Sequence, residues 1–392
     1  MALPLRVVLD GRWIRMDSGI GQYCYWLART LPATAPDLAL HVLLPATDDP
    51  LVRDLAERFP TERFPGGPHV ASVLHASPRS PRGVVELARA LWRARPAVYH
   101  APDWAALPSV RSGWRSVATI HDLIPLVAPE TVPRSLKGRH PHLYRMALRA
   151  LARGADMVLT DTQAWAAEIR SRLGVRDDRV RVVPLGVSPP PVVPAAVVAE
   201  ARARFAIGAA PYVLHVGRPE PYKGLASLIR AFAGAARSER LVIAGSLDSR
   251  YPEAGELVRG LGWEEQVRVV GPVTPDELEA LYAGASAFAT LSRLEGFGLS
   301  PLEAMARGVP VVASRASVFP ETLGDAALLV APDDEAAAGA ALRRVLDDPE
   351  LRARLADAGR VRAAGYTWER CAALTADAYR TAAAHLLGPG AQ

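Results

Sequence analysis

Two glutamates, Glu295 and Glu303, bracket the segment Glu295-Gly-Phe-Gly-Leu-Ser-Pro-Leu-Glu303. A carboxylate accepts hydrogen bonds from hydroxyl groups and can take both hydroxyls of a diol. Gly296 and Gly298 carry no side chain, so the backbone between the acids can come close to a ligand. Ser300 fits a helix cap, Pro301 fits the first helical position, and Glu303 falls three residues after the cap. Gly308 and Pro310 end that helix, and Val309–Ala313 reads as the next strand. A short loop feeding a helix N-terminus offers N–H groups to a phosphate. The stretch Gly296, Phe297, Gly298, Leu299 therefore reads as an anion seat with an acid on each side. The same letters also describe a plain capping box beside a solvated carboxylate. Phe297, apolar in a glycine loop, and the strand pattern after the helix favour a binding turn of an α/β sheet.

The opposite charge comes from Tyr212-Val-Leu-His-Val-Gly217-Arg218-Pro-Glu-Pro-Tyr-Lys223-Gly224. Tyr212–Val216 reads as a buried strand ended by Gly217, and Leu225–Phe232 as the helix that follows. Arg218 and Lys223 thus hang at the carboxyl end of a strand, where open α/β sheets bind ligands. The chain holds 44 arginines and two lysines, Lys137 and Lys223. A lysine kept in a loop of so arginine-rich a chain fits a site for a compact ammonium, which suits phosphate oxygens. The other reading is a solvated loop charge. Gly217–Gly224 is not a Walker loop, because Gly224 stands where a Ser or Thr would follow the lysine.

The elements that must position these groups read as two wound halves. Strands are expected at Arg6–Leu9, Leu40–Leu44, Ala97–His100, Ser116–Ile120 and Met157–Thr160, with Gly21–Leu31 and Val84–Ala94 the clearest helices. Val187-Ser-Pro-Pro-Pro-Val-Val-Pro then breaks the pattern as a stiff connector. Strands resume at Tyr212–Val216, Leu241–Ala244, Val267–Val270, Ala287–Ala289, Val309–Ala313 and Ala327–Val330. Strands alternating with helices imply parallel sheets. The length of 392 residues fits two domains, each with its own core. Half the residues are hydrophobic, which excludes a disordered chain. The N-terminus reads as a first strand and not as a signal peptide, and no apolar run reaches the ~20 residues of a spanning helix. Cys24 and Cys371 read as two buried hydrophobes in a reducing compartment. No G-x-G-x-x-G with a downstream acid marks a dehydrogenase, and the net charge of +5 carries no basic-aromatic signature for nucleic acid.

In their order along the chain these motifs resemble the retaining glycosyltransferases of family 4, and mannosyltransferase-like members in particular. Glu295 and Glu303 match the family's Glu-x7-Glu element, and Gly217-Arg218…Lys223-Gly224 its diphosphate clamp. Ser18-Gly19-Ile-Gly21 is similar to its N-terminal glycine loop, and Thr119-Ile-His121-Asp122-Leu-Ile-Pro125 to a segment of its mannosyltransferase-like members. Ala155–Thr162, Val182–Val187 and Tyr366–Arg370 complete a resemblance that covers nearly the whole chain.

The resemblance implies the GT-B fold: two Rossmann-like domains, an interdomain cleft, and C-terminal helices that cross back to the first domain. The expected parts are an acceptor-side domain at 1–186, a Pro-rich linker at 187–210, a nucleotide-sugar-binding domain at 211–368, and a returning helix at 369–392. It implies hexosyl transfer from a nucleotide-diphosphate sugar, GDP-mannose-like or a UDP-sugar, to a glycan, lipid-linked or small-molecule acceptor. Arg218 and Lys223 neutralise the leaving diphosphate, helped by amides near Gly298. Glu303 takes the ribose hydroxyls, and Glu295 the sugar hydroxyls. Gly19 and Gly21 allow a close approach, and His121 bonds the reaction centre from the first domain. Asp122 is expected to orient His121 or its loop. The base is expected near Val270 and Val273, where a strand ends in a turn. No cofactor is expected, and no metal, because no Asp-x-Asp occurs in the chain. The alternatives are a sugar-nucleotide isomerase or phosphorylase on the same fold, or a sugar-nucleotide binder without catalysis. The expected location is cytoplasmic. The run from Arg134 to Arg153 holds six Lys/Arg and no acid, with Arg145, Arg149 and Arg153 on one helical face. It reads either as a solvated face or as a peripheral contact with anionic membrane or an acidic lipid-linked acceptor.

Overall fold

Thirteen strands and their helices sort into two compact units, seen in a computed structural model that describes residues 3–16, 18–59, 69–104, 113–133, 135–245 and 251–384. The first unit comprises 1–123, 142–186 and 368–392, and the second 124–141 and 187–367. Each holds one parallel sheet.

In the first unit the strands are β1 (Leu5–Asp10), β2 (Leu38–Pro45), β3 (His69–Leu74), β4 (Val98–Ala101), β5 (Arg115–Thr119), β6 (Met157–Thr160) and β7 (Val180–Val182). Their order is β3-β2-β1-β4-β5-β6-β7. The inner strands are mostly buried because helices cover both faces of a parallel sheet. Two strands, β3 and β7, were not expected from the sequence. β3 is an edge strand with His69 and Ser72 in it, and β7 has only three residues, so neither shows a buried-strand pattern.

In the second unit the strands are β8 (Tyr212–Val216), β9 (Arg240–Ala244), β10 (Val267–Gly271), β11 (Ala287–Thr290), β12 (Val311–Ser314) and β13 (Ala327–Val330). Their order is β10-β9-β8-β11-β12-β13. The core beneath them joins Leu228, Phe232, Leu241, Leu342 and Leu355, among others. Residues 187–210, read from sequence as a connector, include the helix Ala195–Arg204.

The helix Trp368–Ala384 belongs to the first unit, although its sequence follows the second. It packs on the helix Gly19–Thr34 and on β4 to β6. Its buried residues Cys371, Thr375, Ala378 and Ala382 follow helical spacing, and the alanines let the two helices come close. Trp368 stacks on Trp26 with ring centroids 5.9 Å apart. Gly186 is required here: a Cβ on it would lie 2.4 Å from the Trp368 backbone nitrogen. Cys24 and Cys371 are both buried free thiols, one on each of these packed helices. No helix among the described residues is long and apolar enough to cross a membrane.

Candidate active site

In the second unit the strand order reverses between β8 and its neighbour β11. A parallel sheet opens a crevice at the carboxyl ends of the strands where its order reverses. The loops that leave β8 and β11 there carry the chemistry predicted from sequence. Lys223 Nζ donates to both oxygens of Glu295, at 2.8 and 2.7 Å. Ser292 Oγ donates to Glu295 Oε1 at 2.8 Å. Ser317 clasps the Glu295 backbone, accepting from its N–H and donating to its carbonyl, both at 3.2 Å. Ser317 does this at φ 52°, a left-handed conformation uncommon for serine. Gly224, at φ 65°, lets the lysine loop press on β11's exit, because a Cβ there would sit 2.1 Å from the Leu291 carbonyl oxygen.

Below this pair lies His215 on β8, fully enclosed, with Nδ1 bonded to the Ala289 carbonyl at 2.9 Å. Burial holds it neutral, with its pKa down to about 4. Sequence reasoning had treated it as part of a buried strand. Arg218 is not gathered into the pair. Its side chain is 71% exposed and its Nε lies 3.3 Å from Glu220. Gly217 is fixed by its N–H to the Ala244 carbonyl at 3.1 Å.

The helix after the glycine loop runs from Leu299 to Ala306. This corrects the capping expectation: the cap is Gly298, at φ 91°, and Ser300 lies inside the helix. With Ser300 helical, Glu303 is released from any capping box. Its Oε2 instead accepts from Tyr282 Oη at 3.0 Å. Burial pushes the Glu303 carboxyl up, against the pull of Arg307. Arg307 is itself held by Glu279, with Nε to Oε2 at 2.6 Å. Phe297 is buried, its ring edge-on to Tyr366 at 5.5 Å. Its side chain anchors the loop. Val270 and Val273 are half-buried around the left-handed Gly271 at the end of edge strand β10. Gly296 is also half-buried.

In the first unit, His121 follows the end of β5. Its Nδ1 lies 2.9 and 3.0 Å from the two oxygens of Asp161, which follows β6. A carboxylate only accepts, so Nδ1 carries the proton. Burial lowers the imidazole's proton affinity, but Asp161 outweighs it and the pKa is raised. Nε2 is enclosed and has no hydrogen-bond partner among the described residues. The expected orienter, Asp122, does not hold this nitrogen. Asp161 was missed because the partners stand 40 positions apart. The Tyr23 ring packs edge-on against His121 at 4.8 Å. Behind it, His100 bridges Thr119 and Tyr379, each at 2.7 Å.

Gly19 and Gly21 lie in the first turn of the helix Gly19–Thr34, with Ser18 as its cap. Gly21 packs on the backbone of Arg15, whereas Gly19 faces open space. Of the basic run, Arg134 lies outside the described residues, and Arg145, Arg149 and Arg153 sit on the helix Pro141–Gly154. A cavity of about 370 Å³ opens at the opposite end of the second sheet, lined by Pro211, Ser286, Pro310 and Arg352. None of the residues just described lines it.

Two wound parallel sheets, the second with a paired acid and lysine at its switch point, have the architecture of the GT-B fold. Residues 18–189 match the glycosyltransferase family 4 profile, and residues 198–362 that of glycosyl transferases group 1. O-antigen chain mannosyltransferase B of Escherichia coli is 30% identical over 289 residues, 72% of this chain and 74% of that one. The MMP alpha-(1->4)-mannosyltransferase of Mycolicibacterium hassiacum is 33% identical over 291 residues, 71% of this chain and 68% of that one. Anabaena HepE, solved with UDP and glucose, superposes with a TM-score of 0.75 at 19% identity, over 96% of this chain and 100% of that one. The chain belongs to glycosyltransferase family 4.

Proposed function

We propose that the protein is a cytoplasmic, metal-independent, retaining hexosyltransferase. It moves a hexose from a nucleoside-diphosphate sugar to a glycan, lipid-linked or small-molecule acceptor. The observation that carries this reading is Lys223 held on Glu295 at the carboxyl ends of β8 and β11. A GDP-mannose-like donor is favoured because two of the relatives are mannosyltransferases. HepE, with UDP bound, keeps UDP-sugars as the second choice.

The ion pair is a site in its resting state. An incoming diphosphate competes for the lysine's protons, and the carboxylate so released accepts from a sugar hydroxyl. Arg218, exposed beside Glu220, adds a second cation. The N–H groups of Leu299 and Ser300, at a helix start, add partial positive charge without a counterion. Glu303 accepts from ribose, and its raised pKa means donor affinity weakens as pH falls through a window above the usual glutamate range. In the reaction the bond from the anomeric carbon to the leaving phosphate oxygen breaks. The acceptor oxygen bonds to that carbon on the same face, and its proton passes to the leaving phosphate. His121 donates from Nε2 to a substrate oxygen.

Thermal unfolding against GDP-, UDP-, ADP- and dTDP-sugars, without and then with Mg²⁺, tests the proposal. One nucleotide class should stabilise without metal, by about 2.7 kcal/mol at a hundredfold excess over Kd. Lys223→Gln should abolish that shift. No shift with any nucleotide in either condition would sink the reading.

A further inference from the structure

Two helices of the first unit carry apolar side chains on the outside. The helix Pro81–Ala94 buries Leu87, Leu91 and Ala94. It exposes Val85 at 48% and Trp92 at 70%. Arg82, Val85, Arg89 and Trp92 recur at helical spacing and form one exposed stripe. The helix Pro141–Gly154 buries Tyr144, Leu148 and Leu151. It exposes Leu143 at 63% and Met146 at 66%. Leu143, Met146, Ala150 and Arg153 repeat the same spacing as the first stripe, and all four are exposed.

The charge on both helices is predominantly basic. The helix Pro141–Gly154 holds no acid. On the other, Glu86 is the one acid, and it is occupied by the N–H groups of His75 and Ala76 at 3.1 and 3.0 Å. Among the described residues, no carboxylate pairs with Arg82, Arg89 or Arg153.

Topology puts the two helices on the same face of the sheet. The helix Pro81–Ala94 connects β3 to β4, and Pro141–Gly154 lies between β5 and β6. Both connections move the chain toward β7 in the sheet order. Right-handed crossovers that move in one direction lie on one face of a parallel sheet. The helix Gly19–Thr34, which moves the chain the other way, lies on the opposite face with Trp368–Ala384 packed beside it.

We propose that this face of the seven-stranded sheet docks on an anionic phospholipid bilayer. Trp92, Leu143 and Met146 enter at headgroup depth, while Arg82, Arg89 and Arg153 meet lipid phosphates. An indole is suited to that depth, with an apolar ring and one N–H for the wet side. Arginine stems lie along the apolar surface and carry their charge to the headgroups. Neither apolar insertion nor charge suffices alone, and stable peripheral binding takes both. The attachment is peripheral, with no segment crossing the bilayer.

Sedimentation of the full-length protein with vesicles tests this, using pure phosphatidylcholine and phosphatidylcholine mixed with phosphatidylglycerol. The expected result is binding to the anionic vesicles only, weakened by salt. Trp92→Ser with Met146→Ser should cut binding about tenfold or more. Each of Arg89→Gln and Arg153→Gln should cut it about fivefold. Unfolding midpoints of the variants should match the parent, since every altered side chain is exposed. No sedimentation with anionic vesicles at low salt overturns the proposal, as does undiminished binding by the variants. So does a parent that ignores vesicles and runs as a dimer which Trp92→Ser splits, because the face would then join two copies. The assay contains no nucleotide sugar, so it succeeds or fails apart from the transferase reading.

Discussion

Asp161 fixes His121 in one orientation and favours its charged form. Two other buried histidines show what happens where burial dominates and no carboxylate bonds the ring. His100 falls to about 3 and His215 to about 4. His121 is half-buried, and burial opposes its charge too, yet Asp161 raises it. Asp161→Asn removes that charge and leaves burial unopposed, so His121 should lose its proton at lower pH. If the imidazolium donates in the reaction, the alkaline limb of kcat against pH moves down in the variant, with kcat lower by about 10²-fold near neutrality. The stability sign agrees. A raised histidine pKa contributes stability that is fully present below the unfolded value and is lost as pH rises through the folded value. The gap in unfolding free energy between parent and variant should therefore shrink across that window. A pH–rate profile that keeps its shape would reduce Asp161 to a packing residue. The dyad also marks where sequence reading stops. Residue types at Lys223, Glu295 and His121 were legible because each interrupts a local pattern. Their partners were not: Lys223 and Glu295 stand 72 positions apart, and only the sheet order brings them together.

Elements were legible in proportion to how local their signals are. Strands such as β6, β8 and β13 are mainly apolar runs, and their expected bounds match the observed ones. The start of the helix Leu299–Ala306 was misread because Ser-Pro-x-Glu is a valid cap in isolation. The chain uses Gly298 instead, since a left-handed residue turns the backbone sharply enough to bring Phe297 inward against Tyr366. A true capping box does occur, at Thr274 and Glu277. Gly298→Ala follows as a test at this scale. The new Cβ would sit 2.8 Å from a ring carbon of Phe319, at a φ of 91° that alanine rarely adopts. The variant should lose about 1–3 kcal/mol in denaturant unfolding. It should also bind nucleoside diphosphate more weakly, because the first N–H groups of the helix move with the turn. Full stability and full affinity would show that the loop tolerates a side chain.

At the scale of the whole molecule, chain order and folding order part company. The sequence places the first seven strands before residue 183, yet their unit is finished by residues 368–384. Removing everything after Thr367 would uncover Trp26 and the inner face of the helix Gly19–Thr34. It would also leave buried His100 without the Tyr379 hydroxyl, a loss of about 1–3 kcal/mol by itself. Added to the lost burial of Trp368, Cys371 and Tyr379, at roughly 2–5 kcal/mol for each large side chain, the total reaches the net stability of a typical domain, ~5–15 kcal/mol. The second unit has no such debt, for every residue of its core cluster lies between Val213 and Leu355. Calorimetry of the chain ending at Thr367 should therefore keep one cooperative transition and lose the other. The surviving transition should still rise with the nucleotide sugar that stabilises the parent, because Lys223, Glu295 and Glu303 belong to that unit. If both transitions survive, the returning helix is a surface addition. If both vanish, the second unit depends on the first for its fold.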